Sequence, residues 1–291
     1  ESRGLGDVYK RQVLNISAWM LLPFMDGLAK FLSQEIHFLQ VVWGRYFFMA
    51  LFSILIASLF FRKHLRFPKG IKIQVLRSLF LFLSTIFFFY AISIISLAEA
   101  LTLSFIAPII ATILSFFILK ERVGPRRWIA VVTGFIGVLF VIRPGFTEVN
   151  MATVCAVCAG ICYAFYIIST RKLSSIDSPL MTLIFTGLSG AIVISLIVPF
   201  YWSSLNFNGW LILISLAAIG TLAHFLLILS LNYAEASKLA PLSYSEIIMN
   251  VIIGYYFFGD FPNQWIWIGL IIIIASGVYI SLRENKKQKS I

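Results

Sequence analysis

Asp26, Lys30, Arg45, His224 and Glu246 lie within long apolar stretches of this 291-residue chain. An ionisable side chain in such surroundings is costly in lipid and turns to a partner, a polar interior or a ligand. A carboxylate there can hold a cation or take up a proton. A guanidinium receives an anion, and an imidazole passes protons. Asp26 and Arg45 flank a short connection at similar depth, Asp26 ~9 Å from its helix end at ~1.5 Å per residue. An Asp26–Arg45 ion pair is expected, either locking the hairpin or exchanging partners with a ligand. Lys30, one turn from Asp26, stands near enough to the helix end to snorkel towards water. Glu246 and His224 share a second common depth. Glu246 is the leading proton or amine site, set against a structural, hydrogen-bonded glutamic acid. Tyr244 and Asn250 flank it. Ser104 and Ser243 occupy equivalent positions in an internal repeat and join the candidates for binding or coupling.

Other polar features have plainer readings. Ser96-x-x-Glu99 is a capping box that starts a helix. Cys155, Cys158 and Cys162 share a helix face but lack a fourth ligand, so they are read as small packing residues and no metal site is expected. Gly134 and Gly137 are read as close-packing positions. The sequence holds no HExxH, Walker A, GxSxG or EF-hand pattern. No catalytic residue and no cofactor is therefore expected, and ATP-driven action would need another chain.

The elements that position these residues follow from composition. The chain is 60% hydrophobic and only 12% charged, with a mean hydropathy of +0.95; a soluble domain carries about 25% charged residues. Continuous apolar runs, rather than alternating ones, indicate membrane helices and not a barrel. Ten spans are expected, over 13–32, 38–61, 73–94, 97–119, 127–142, 151–170, 179–200, 210–231, 239–258 and 264–282. With the N-terminus inside, nineteen of the 23 Lys and Arg residues fall on inner segments and one, Arg143, on an outer loop. Both termini are thus expected on the cytoplasmic side of the cytoplasmic membrane. The net charge of +11 serves orientation, and nucleic acid is not an expected partner. Residues 1–12 do not fit the pattern and are read as non-native or disordered. Residues 284–291 are read as a basic cytoplasmic tail.

The segment from Ser96 to Pro144 returns near the C-terminus without a gap. Leu103 falls on Leu242, Ser104 on Ser243, Trp128 on Trp267, and Glu121 on Asp260. Two repeats are expected, 13–144 and 145–283, each of five helices. An odd number of spans inverts the second repeat, a design found in secondary transporters that bind substrate between repeats near the midplane.

The runs APIIATILSFFILKERV with WIAVVTGFIGVLFV, and LSYSEIIMNVIIGYYFFGD with WIGLIIIIASGVYI, resemble the drug/metabolite transporter superfamily, EamA type. The resemblance covers the chain after Gln12. It implies an all-α integral membrane protein of ten helices in two inverted five-helix repeats. The implied function is secondary active transport of a small organic metabolite by alternating access: an amino acid, nucleoside, vitamin or S-adenosylmethionine-like compound. Two positions depart from the pattern: Ile247 where members carry proline, and Asp260 where they carry glutamate. MDGLAKFLS followed by QVVWGRYFF resembles members that move riboflavin or S-adenosylmethionine. The expected partners are a metabolite, the lipid bilayer and protons as coupling ion, and the sequence admits a homodimer. A membrane-embedded enzyme, or a receptor or scaffold without transport, is the alternative reading; for the enzyme only Glu246–His224 offers a pairing.

Overall fold

The computed structural model describes residues 2–60, 68–118, 125–142, 150–173, 176–233, 243 and 245–288. Among them every long element is a helix. The first half holds α1 (Ser2–Leu32), α2 (Phe38–Phe60), α3 (Ile71–Ile92), α4 (Leu97–Ser104), α5 (Ile106–Ile118) and α6 (Pro125–Ile142). The second holds α7 (Met151–Leu173), α8 (Pro179–Ile197), α9 (Phe207–Tyr233), α10 (Ser245–Phe258) and α11 (Gln264–Gln288), with a short 3-10 helix, Val198–Tyr201, after α8. Six helical stretches among the described residues are long and apolar enough to cross a membrane, and Val131–Ile142, Ser245–Phe258 and Gln264–Ser276 are shorter apolar helices. The chain is a multi-pass, all-helical membrane protein.

Local sequence explains most boundaries. Ser96 and Ser178 cap α4 and α8, each hydroxyl accepting the backbone N–H three residues on, from Glu99 and Met181. Proline at the first position of α8 suits a helix start. The span expected over 97–119 is two helices, broken at Phe105. Pro108 has no N–H to give the Ser104 carbonyl, and its ring crowds that oxygen. α1 begins at Ser2, well before the expected start at residue 13. α11 continues to Gln288, so most of the expected basic tail is helical backbone. The junction at 144–145, the basic break at 120–124 and Tyr244 lie outside the described residues.

The halves interleave. α1 packs on α9, α3 on α7, α2 on α8 and α6 on α11, while α10 lies against α1 and α4. At the α6–α11 crossing the backbones touch. A Cβ on Gly137 would stand 2.9 Å from the Gly269 carbonyl oxygen, and one on Gly269 would stand 2.6 Å from that of Gly137. Small residues at such a crossing let helices approach where lipid supplies no hydrophobic drive. Outward faces carry bare apolar side chains such as Phe60, Leu196, Tyr256 and Phe257. Many polar side chains of the spans, among them Asp26, Arg45, Arg77, His224 and Glu246, are buried instead.

Candidate functional site

Six helices, three from each half, bring polar side chains together in the middle of the bundle. α1 supplies Asp26, α2 Arg45 and Tyr46, and α3 Thr85. α7 supplies Tyr163 and Tyr166, α9 His224, and α10 Glu246 and Asn250. Asp26, Arg45, His224, Glu246 and Asn250 are all buried.

Arg45 is firmly held. One terminal nitrogen donates to Thr85 Oγ1 at 2.9 Å, and the other meets His224 Nε2 at 2.7 Å. Its guanidinium lies 5.5 Å from the Tyr46 ring centroid and 5.4 Å from that of Phe89. Thr85 also bonds the Tyr46 hydroxyl at 2.8 Å. Arginine has donors only. His224 must therefore accept at Nε2, which leaves its proton on Nδ1. That Nδ1 and the Arg45 Nε have no partner among the described residues.

The expected Asp26–Arg45 ion pair is not formed, and Glu246 and His224, placed at a common depth, do not bond each other. Arg45 lies close enough to act on Asp26 through space, and Asp26 close enough to act on Glu246. Yet neither carboxylate receives a hydrogen bond or an ion pair from a described residue. The Tyr163 hydroxyl and the Asn250 carbonyl oxygen are likewise buried and without partners among the described residues. Asn250 uses its amide only for the Glu246 backbone carbonyl, at 3.3 Å. Buried polar groups are normally satisfied, so this concentration of unpaired groups among the described residues is unusual.

Lys30 corrects the snorkelling expectation. It is 8% exposed, and its ammonium donates to Asp260 Oδ2 at 2.8 Å and to the Ile95 carbonyl at 2.9 Å. It also lies 5.3 Å from the Phe258 ring centroid. Gly259, at φ +69°, turns the chain so that Asp260 reaches this point; a side chain would be strained there. The end of α1, the α3–α4 turn and the α10–α11 turn, one from the second half, thus meet at one rim. The remaining candidates separate. Ser104 bonds the Ala100 and Ala156 carbonyls at 2.9 and 3.0 Å, fastening α4 to α7. Ser243 is buried just before α10.

Sequence reasoning missed Tyr163 and Tyr166, whose i, i+3 spacing beside the cysteines was the available signal. It also missed Arg77, which is fully buried and bonds Thr170 and Thr186 hydroxyls at 3.1 and 2.6 Å. The Tyr166 ring centroid lies 5.0 Å from that guanidinium.

The EamA-like transporter family matches the chain twice, over residues 16–143 and 150–282. An S-adenosylmethionine uptake transporter of Rickettsia prowazekii (strain Madrid E) is 27% identical over 282 residues, covering 95% of this chain and 96% of that protein. One of Rickettsia conorii (strain ATCC VR-613 / Malish 7) is 27% identical over 97% of both chains. A riboflavin transporter of Vibrio cholerae serotype O1 is 32% identical over 199 residues, 66% of this chain and 64% of that one. A solved crystal structure shares the fold, with a TM-score of 0.69 at 15% identity over 95% of this chain and 98% of the other.

Proposed function

As the chain belongs to the EamA-like transporter family and not to a class of enzymes, we propose that it is a secondary carrier moving a small organic metabolite across the cytoplasmic membrane by alternating access. The observation that carries this reading is the pair of buried carboxylates, Asp26 from one half and Glu246 from the other, without a partner among the described residues. They stand where the halves meet, as a substrate site between repeats would.

The inverted ten-span arrangement is part of the proposal. Exchanging helix order between the halves turns the α1–α9 packing into α7–α3 and leaves the α2–α8 and α6–α11 packings in place; all four occur. Two clasps have matching places. Gln40, at the start of α2, bonds the Ser203 backbone twice, at 2.8 and 2.9 Å. Asp177, just before α8, accepts from Lys69 N–H and the Gln74 amide at 2.9 and 3.1 Å. The Lys and Arg asymmetry supports cytoplasmic termini, which puts the Lys30–Asp260 rim outside. The Lys30–Asp260 pair then closes the outer entrance, and Glu246 exchanges a proton for a cationic group of the substrate. Among relatives, the name S-adenosylmethionine carries more weight than riboflavin, because those matches span nearly the full chain.

The experiment is uptake by purified protein in liposomes with labelled S-adenosylmethionine and riboflavin, with and without an imposed pH gradient. Accumulation above protein-free liposomes is expected for at least one, and Glu246→Gln should abolish its response to the gradient. Accumulation of neither compound would contradict the reading.

A further inference from the structure

Resting on the carrier reading above, we infer that the central site takes the zwitterionic head group of an amino-acid-type metabolite. The unpaired groups divide by chemistry. Asp26 and Glu246 are acceptors when ionised, the Asn250 carbonyl oxygen is another, and none has a partner among the described residues. Arg45 Nε and His224 Nδ1 are donors, joined through the Arg45–His224 bond and equally unpartnered. Tyr163, close enough to Asp26, Glu246 and Arg45 to interact with each electrostatically, has a hydroxyl free to serve either side.

A cation alone would satisfy the carboxylates and leave the donor pair idle. An anion alone would do the reverse. A neutral ring system would leave both charged sets without partners in a low-dielectric interior, where that is most costly. A ligand with an ammonium and a carboxylate on one carbon satisfies both at once. The ammonium goes between Asp26 and Glu246, the carboxylate to Arg45 and His224. Thr85, Tyr46 and Phe89 already fix Arg45, so its orientation is set before the ligand arrives.

The test is uptake and competition in proteoliposomes. The probes are S-adenosylmethionine, methionine, decarboxylated methionine (methylthiopropylamine), deaminated methionine (methylthiobutanoate) and riboflavin. The zwitterions are expected to be taken up and to compete at least about 100-fold better than either truncated analogue, since a site built around hydrogen bonds rejects compounds lacking them. Asp26→Asn and Glu246→Gln should erase preference for the amine, and Arg45→Gln preference for the carboxylate. Arg45→Lys keeps the charge, and thermal unfolding of each variant separates loss of selectivity from loss of fold. Uptake of riboflavin that zwitterions do not inhibit would overturn the head-group inference while leaving transport standing. Uptake of no probe would overturn both.

Discussion

Two acidic residues of the second half meet opposite fates. Asp260, at the rim, has its lysine 2.8 Å away. Glu246, one helix earlier, is buried with no partner among the described residues. The same contrast holds in the first half, on a single helix: Lys30 is bonded to a carboxylate and a carbonyl, while Asp26, one turn before it, is bonded to no side chain or backbone group among the described residues. Interactions completed within the protein hold a state together; those left incomplete are where the proposed ligand would bind. The rim should therefore answer to substitution as structure does and the centre as function does.

The largest effect expected is at the centre. Asp26→Asn and Glu246→Gln remove charged acceptors whose hydrogen bonds are worth ~1.5–3 kcal/mol. Apparent substrate affinity should fall roughly 10- to 100-fold at 1.4 kcal/mol per decade, read as half-saturation in the uptake assay. Unchanged affinity in both variants would erase the contrast.

Next comes the rim. Lys30→Met leaves Asp260 unpaired, and Asp260→Asn leaves a nearly buried ammonium with the Ile95 carbonyl and the Asp260→Asn amide oxygen. The Asp260 side chain is 32% exposed, so solvent screening reduces the pair to about 1–2 kcal/mol, a shift of roughly 5- to 30-fold towards outward opening. Thiol labelling from outside, at a cysteine placed in the interior of a cysteine-free background, should accelerate accordingly. The exchange Lys30→Asp with Asp260→Lys should return labelling towards the starting rate.

A third prediction concerns packing rather than charge. Gly137→Val forces a branched side chain against the Gly269 carbonyl and Ile273. It should cost ~1–3 kcal/mol by overpacking, measured as a lower unfolding midpoint in detergent. The smallest effect belongs to Asn15, whose amide bonds Ser230 at 2.9 Å between α1 and α9. Asn15→Leu should cost about 0.6 kcal/mol, typical of a polar bond between membrane helices.

Helices were legible because apolar runs in lipid have one economical backbone solution, and the capping at Ser96 was legible from its spacing. The break at Phe105 was foreshadowed by Pro108, yet a proline inside a membrane helix need not interrupt it. The site was half legible. Charge in an apolar run singled out Asp26, Arg45, His224 and Glu246, because its cost is visible in the sequence alone. Which charges would touch was not, since that depends on how helices rotate against one another. Equal depth suggested Arg45 with Asp26, whereas α9 presents His224 to Arg45 instead. Lys30 looked like a snorkelling lysine because its partner lies 230 positions away. Tyr163 and Tyr166 drew no attention because tyrosine is cheap in a membrane helix.

The central claim is that the unpaired carboxylates serve a ligand and not the fold. Thermal unfolding of purified protein, with and without S-adenosylmethionine, tests it directly. Glu246→Gln should unfold at or above the parent temperature, because it removes an uncompensated buried acid, and should lose the rise that ligand produces in the parent. A Glu246→Gln protein that unfolds well below the parent, or that keeps the full ligand-induced rise, would contradict the account.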